Sequence, residues 1–219
     1  MSALVGVLEA YAFDLADSIS VEALAKSILA ALSQCPGADI DWTTIENLES
    51  NLRSIVAGKS DAHNYHATVF TALPLLFRDS LSVAKKEEPM FGGVKRIDIT
   101  FSNHASEGFF AALHDSLKAP CPLIPIECKN YSGDIGNEEL DQLSGRLNEN
   151  VGRLGILVCR SIEDEARSLQ RRVGYIRKME FLITLDDKDL TSMSKAYLSG
   201  KREEMEAILF TKLRQLLLN

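Results

Sequence analysis

The chain has 219 residues with 24 Lys and Arg against 31 Asp and Glu, a formal charge of −7. At 46% hydrophobic and 25% charged, with 13 Gly and 6 Pro, the composition excludes collagen-like, disordered and membrane classes. No run approaches the roughly 18 apolar residues of a spanning helix, Glu9, Asp14 and Asp17 stand where a secretory signal would be basic, and Cys35, Cys121, Cys128 and Cys159 lack zinc or disulfide spacing, so a reduced, cytoplasmic protein without membrane contact is expected.

The first sixty residues read as helices. One is expected around 4–17. A second follows Ser20, with Leu24, Ile28 and Leu32 at helical spacing until Cys35-Pro36-Gly37. A third opens on the capping box Thr43-Thr44-Ile45-Glu46 and carries Leu48, Leu52, Ile55 and Val56 up to Gly58. A further helix, about 62–77, contains Pro74, which should kink or end it.

From residue 81 the period shifts toward two. Runs 81–88 and 94–101 flank Pro89-Met90-Phe91-Gly92-Gly93, and Ile97, Ile99 and Phe101 alternate with Arg96, Asp98 and Thr100, the pattern of a hairpin with one polar face. A short helix about 106–117 precedes the strand Leu123–Lys129, whose Ile124, Ile126 and Cys128 oppose Glu127 and Lys129. Then come a helix near 137–149, an apolar strand Leu154–Cys159, a helix from Ser161-x-x-Asp164 to about Lys178, the strand Phe181–Leu185 and a closing amphipathic helix 202–218. This order predicts an α/β fold with a mixed central sheet flanked by helices.

Charge divides the chain. Residues 1–80 hold four basic against ten acidic side chains, whereas 81–219 hold 20 against 21. An acidic segment repels a phosphate backbone, so residues 1–60 are expected to form an all-helical extension for interaction or homodimerisation, and 61–219 the functional domain.

Two strands aim ionisable groups out of apolar runs. On neighbouring strands about 4.8 Å apart, Asp98 and Glu127 can converge on one cation. Two carboxylates with waters and a substrate phosphate suit Mg²⁺, and Lys129 beside it can activate a water or neutralise a phosphate. The alternative is a strand with an ordinary polar face. Gln142 shares a helix stripe with Glu138 and Arg146, facing either this site or solvent.

Arg96-Ile97-Asp98-Ile99-Thr100, Ile124-Pro125-Ile126-Glu127-Cys128-Lys129-Asn130-Tyr131 and Leu140-Asp141-Gln142-Leu143 together resemble the PD-(D/E)xK nuclease superfamily over roughly residues 62–185. The resemblance implies a restriction-endonuclease-like fold. It also implies a Mg²⁺-dependent nuclease, with Mn²⁺ able to substitute, acting on nucleic acid, DNA ahead of RNA, in restriction, defence or repair. Asp98 matches the first acidic residue, Glu127 and Lys129 the (D/E)xK element, and Gln142 a glutamine that some branches carry on the next helix. Asp98 and Glu127 would then hold the metal, with the Cys128 carbonyl as a further ligand, and Lys129 would orient or activate water. Ile97 replaces the family's proline. His66 stands where many members carry a glutamate, and imidazole is a poorer Mg²⁺ ligand. His63 and His66, three apart on a helix, suit a borderline metal or serve as surface or capping residues.

Residues 146–178 carry eight basic against four acidic side chains, seven of the eight being Arg. Arg167, Arg171 and Arg172, mid-helix, exceed what the helix dipole explains and are assigned to phosphate contacts. The competing class is a catalytically inactive nuclease-like module that binds nucleic acid or a protein partner.

Overall fold

The computed structural model describes residues 42–90, 95–131 and 133–219. The chain divides into two compact units, Met1–Asp41 and Trp42–Asn219. The helices expected at 4–17 and 21–34 lie outside the described residues.

Two short helices, α1 (Trp42–Glu46) and α2 (Leu48–Ser54), are followed by a 3₁₀ turn and α3 (Ala62–Leu76). Their apolar faces are spent inside the domain: Ile45, Leu48 and Leu52 are fully buried in its main apolar cluster. Ile45, Leu48, Leu52 and Ile55 thus pack within the unit Trp42–Asn219, whereas the sequence reading draws its boundary at residue 60. Thr43 lies within α1 rather than capping it. Pro74 does not end α3, which runs two residues further. Its missing N–H costs one bond in the final turn, where little helix remains to be disrupted.

The antiparallel pair β1 (Leu81–Met90) and β2 (Lys95–Asn103) leads through α4 (Gly108–Asp115) to β3 (Leu123–Lys129). Next come α5 (Asn137–Ser144), β4 (Leu154–Cys159), α6 (Glu165–Ile176), β5 (Phe181–Asp186), α7 (Asp187–Leu198) and α8 (Arg202–Leu218). The five strands among the described residues form one sheet in sequence order. β2 and β3 pair antiparallel, while β3, β4 and β5 run parallel, so α5 and α6 are crossover helices. A mixed sheet flanked by helices is what the alternation of periods predicts.

Every residue of β4 and β5 is buried, as continuous apolar strands require when both sheet faces are covered. Period two sorts them. Ile156, Val158, Ile183 and Leu185 join Ile124 and Ile126 under α1–α4, α7 and α8, whereas Leu157, Cys159 and Leu182 meet Leu140, Leu143 and Tyr175 of α5 and α6. Gly155 sets the height of α5, because a Cβ there would lie 2.8 Å from Leu143 Cγ.

One helix escapes the periodicity reading. α7 opens on a reciprocal capping box, Asp186 accepting from Asp189 N at 2.9 Å and Asp189 from Asp186 N at 3.0 Å. It then buries Leu190 and Met193. Among the described residues, no helix is long and apolar enough to cross a membrane.

A fork in the sheet positions the site. β2 pairs β1 as far as Lys95 but pairs β3 only from Ser102 to Ile99. Beyond Ile99 the two strands part, with Asp98 on one prong and Glu127, Cys128 and Lys129 on the other.

Candidate functional site

At the fork the next β3 donor finds a side chain instead of a strand: Cys128 N donates to Asp98 Oδ2 at 2.9 Å. This bond fixes the Asp98 carboxylate between the two faces of the sheet. Alternation along β3 then sends neighbouring residues to opposite sides. Glu127 and Lys129 face α5, while Cys128 packs with the main apolar cluster.

On the α5 side the contacts form a chain. Lys129 Nζ donates to Gln142 Oε1 at 2.9 Å, and Gln142 Nε2 donates to Glu127 Oε2 at 3.0 Å. Arg146 Nε donates to Glu127 Oε1 at 3.2 Å, and Lys129 Nζ stands 4.0 Å from Glu127 Oε2. α5 ends at Ser144, one residue before Gly145, so Arg146 reaches the site from the segment after the helix rather than from its stripe. Of the four residues expected to act, Glu127, Lys129 and Gln142 meet directly. Asp98 joins them through the backbone of Cys128 and through its charge.

Glu127 departs from the expected polar strand face, since its side chain is 0% exposed. Burial pushes its carboxyl up to about 7, the Asp98 charge pushes the same way, and Arg146 and Lys129 oppose the rise. Two carboxylates and two cations balance at this end of the sheet. Sequence reasoning sets Arg146 on the Gln142 stripe and counts it in the basic run but gives it no role at the site; its contact with Glu127 comes from the segment after the helix, which helical spacing does not encode.

On the other face, His66 of α3, Asp98 and Cys128 present an imidazole nitrogen, a carboxylate oxygen and a sulfur within 4.8 Å of one another, all three half-buried. The resemblance implies a role for the Cys128 carbonyl; the atom that faces His66 and Asp98 is its thiol, which burial and the Asp98 and Glu127 charges hold well above the usual range. α3 is brought over β3 by a clasp just beyond the strand. Gly58 N donates to Asn130 O at 2.6 Å, and Asn130 Nδ2 donates to the carbonyls of Val56 and Gly58, both at 3.0 Å. Gly58 holds φ +128, a conformation that a side chain would strain. His63, the partner suggested by spacing, is exposed.

Beside this cluster, Tyr65 OH donates to Asp187 Oδ1 at 2.9 Å, and Arg160 Nε lies 3.2 Å from Asp187 Oδ2. The Arg160 guanidinium also sits 5.2 Å from the centre of the Tyr65 ring. Burial lifts the Asp187 carboxyl to about 6, against the Tyr65 bond and the Arg160 charge.

The three arginines assigned to phosphate do not all reach the surface. Arg167 is 64% exposed and pairs with Asp164 at 3.5 Å. Arg171 Nη1 donates to the Ile135 carbonyl. Arg172 is 0% exposed, its Nε donating to Ser168 O at 3.2 Å, so its assignment to nucleic acid is overturned. The amphipathic turn of α6 directs position 172 into the domain.

No protein-family model, curated protein or solved structure matches the chain.

Proposed function

We propose that the chain is a metal-dependent nuclease with a restriction-endonuclease-like fold, cleaving phosphodiester bonds of nucleic acid, DNA ahead of RNA. One observation carries the reading: Glu127, Lys129 and Gln142 lie in a single hydrogen-bonded chain beside Asp98, at the end where β2 leaves β3. These are the residue types that metal-assisted phosphodiester hydrolysis uses.

Asp98 and Glu127 supply the hard oxygen donors that Mg²⁺ or Mn²⁺ accepts, so the donor set fits the ion in kind. Both Glu127 oxygens are engaged, by Arg146 and Gln142, and a cation would share the carboxylate with them. The ion supplies Lewis acidity and a more acidic bound water. The chain's own residues do the rest. Gln142 fixes the Lys129 ammonium, a cation placed to offset charge gained by a phosphate, and Arg146 favours the ionised form of Glu127 despite its burial.

The Arg146–Glu127 pair also favours a second reading, a nuclease-like binding module without catalysis, because Arg146 already provides the neutralisation that a metal would bring. Cleavage of plasmid, single-stranded DNA and RNA with Mg²⁺ and Mn²⁺ separates the two. The nuclease reading expects metal-dependent cleavage that falls at least 100-fold in Lys129→Ala. Binding without cleavage would leave the module, and neither activity would remove both the nuclease and a nucleic-acid-binding module.

A further inference from the structure

We infer that His66, Asp98 and Cys128 form a site for a borderline divalent cation of the zinc class, with one nitrogen, one oxygen and one sulfur donor. The site shares Asp98 with the nuclease reading but does not rest on it.

Three elements that are distant in sequence contribute one ligand each, α3, β2 and β3, and their donor atoms lie within 4.8 Å of one another. Around a tetrahedral zinc, bond lengths of about 2.0–2.3 Å put ligand atoms roughly 3.4–3.8 Å apart, so donor atoms within 4.8 Å of one another exceed the closed spacing by at most about 1–1.4 Å. Side-chain rotation on fixed backbones covers that distance. Two contacts hold the elements near one another: the Asn130 clasp ties Val56 and Gly58, in the segment before α3, to the residue that follows β3, and the Cys128 N–H holds the Asp98 carboxylate.

The donor set decides the class of metal. Thiolate and imidazole favour zinc and its neighbours over Mg²⁺ or Ca²⁺, which take oxygen. Three protein ligands leave a fourth position for water or substrate, the pattern of reactive rather than structural zinc sites. The metal displaces the Cys128 thiol proton, which passes to solvent as the S–metal bond forms. Half-burial of all three residues leaves the ion a way in.

The test uses the full reduced chain and Co²⁺ alone as the probe, without nucleic acid. One equivalent of Co²⁺ should produce a thiolate-to-cobalt charge-transfer band and intense tetrahedral d–d absorption, both displaced by Zn²⁺. Cys128→Ser should abolish the band and His66→Ala should weaken binding at least tenfold, while His63→Ala leaves both unchanged. A band that persists in Cys128→Ser, or Co²⁺ binding without any thiolate band, overturns the site. A second measurement avoids variants: Zn²⁺ should protect Cys128 of the wild-type chain from alkylation, read by mass spectrometry at that residue, and equal labelling with and without Zn²⁺ also overturns it. Metal binding without cleavage would count against the nuclease reading alone. Mg²⁺-dependent cleavage without Co²⁺ or Zn²⁺ binding would count against this site alone.

Discussion

Arg146 Nε stands 3.2 Å from Glu127 Oε1, and the two side chains are 8% and 0% exposed. A buried ion pair of this kind adds little net stability against an apolar pair, but removing one partner strands the other charge. Arg146→Met should therefore cost about 3–5 kcal/mol near pH 8, where Glu127 is ionised. At pH 6, where a carboxyl raised to about 7 is already largely protonated in the native state, the cost should be smaller. Urea unfolding at both pH values checks this, and equal costs would remove Glu127 as the stranded partner.

Arg172 invites the opposite experiment. Its Nη1 has no hydrogen-bond partner among the described residues, Nη2 reaches Glu165 only at 3.5 Å, and burial lowers its pKa. Replacing a poorly paired buried charge with an apolar chain of similar length can be neutral or stabilising. Arg172→Met is expected to lose no more than about 1 kcal/mol, whereas Arg172→Ala, which also opens a cavity, should lose about 2–4 kcal/mol. The exposed Arg167→Gln should stay within about 0.5 kcal/mol of the parent. Chemical denaturation of the three variants gives the ranking.

Gly155 links core packing to the site. A methyl group there would press on Leu143 Cγ at 2.8 Å and lift α5, which carries Gln142, and the segment that carries Arg146. Gly155→Ala should cost about 1–3 kcal/mol as overpacking. Under the nuclease reading, its cleavage rate should also fall while substrate binding changes little. Thermal unfolding and single-turnover kinetics measure the two effects separately.

Asp187 should leave a mark on the pH dependence of stability. Its carboxyl is raised from 3.8 to about 6 by burial, so the native state holds the proton more tightly than the unfolded chain. That contribution is complete below 3.8 and is lost as pH rises through about 6. Relative to Asp187→Asn, the wild type should therefore lose stability between these values, with a slope of at most about 1.4 kcal/mol per pH unit. Parallel curves across the window would show that Asp187 titrates normally.

What the sequence determined by itself was the alternation of periods. Apolar residues two apart in β2 and β3, the unbroken apolar runs of β4 and β5 and the 3.6-residue stripes between them point to strands, crossover helices and a mixed sheet, because period two matches a half-buried pleat, period 3.6 one helix face, and apolar runs only six residues long suit strands covered on both faces. It also placed Glu127 and Lys129 on one side of β3 and Gln142 on the next helix. Tertiary structure decided the rest. That β2 parts from β3 after Ile99, that Glu127 is sealed under Arg146, that Arg172 points inward and that His66 meets Asp98 and Cys128 all depend on contacts between residues 19 to 62 positions apart or on which helix face docks. Local periodicity records how a segment buries its own apolar side. Which polar group then fills the space beside it is set by the neighbouring elements, through desolvation and charge that no single segment encodes.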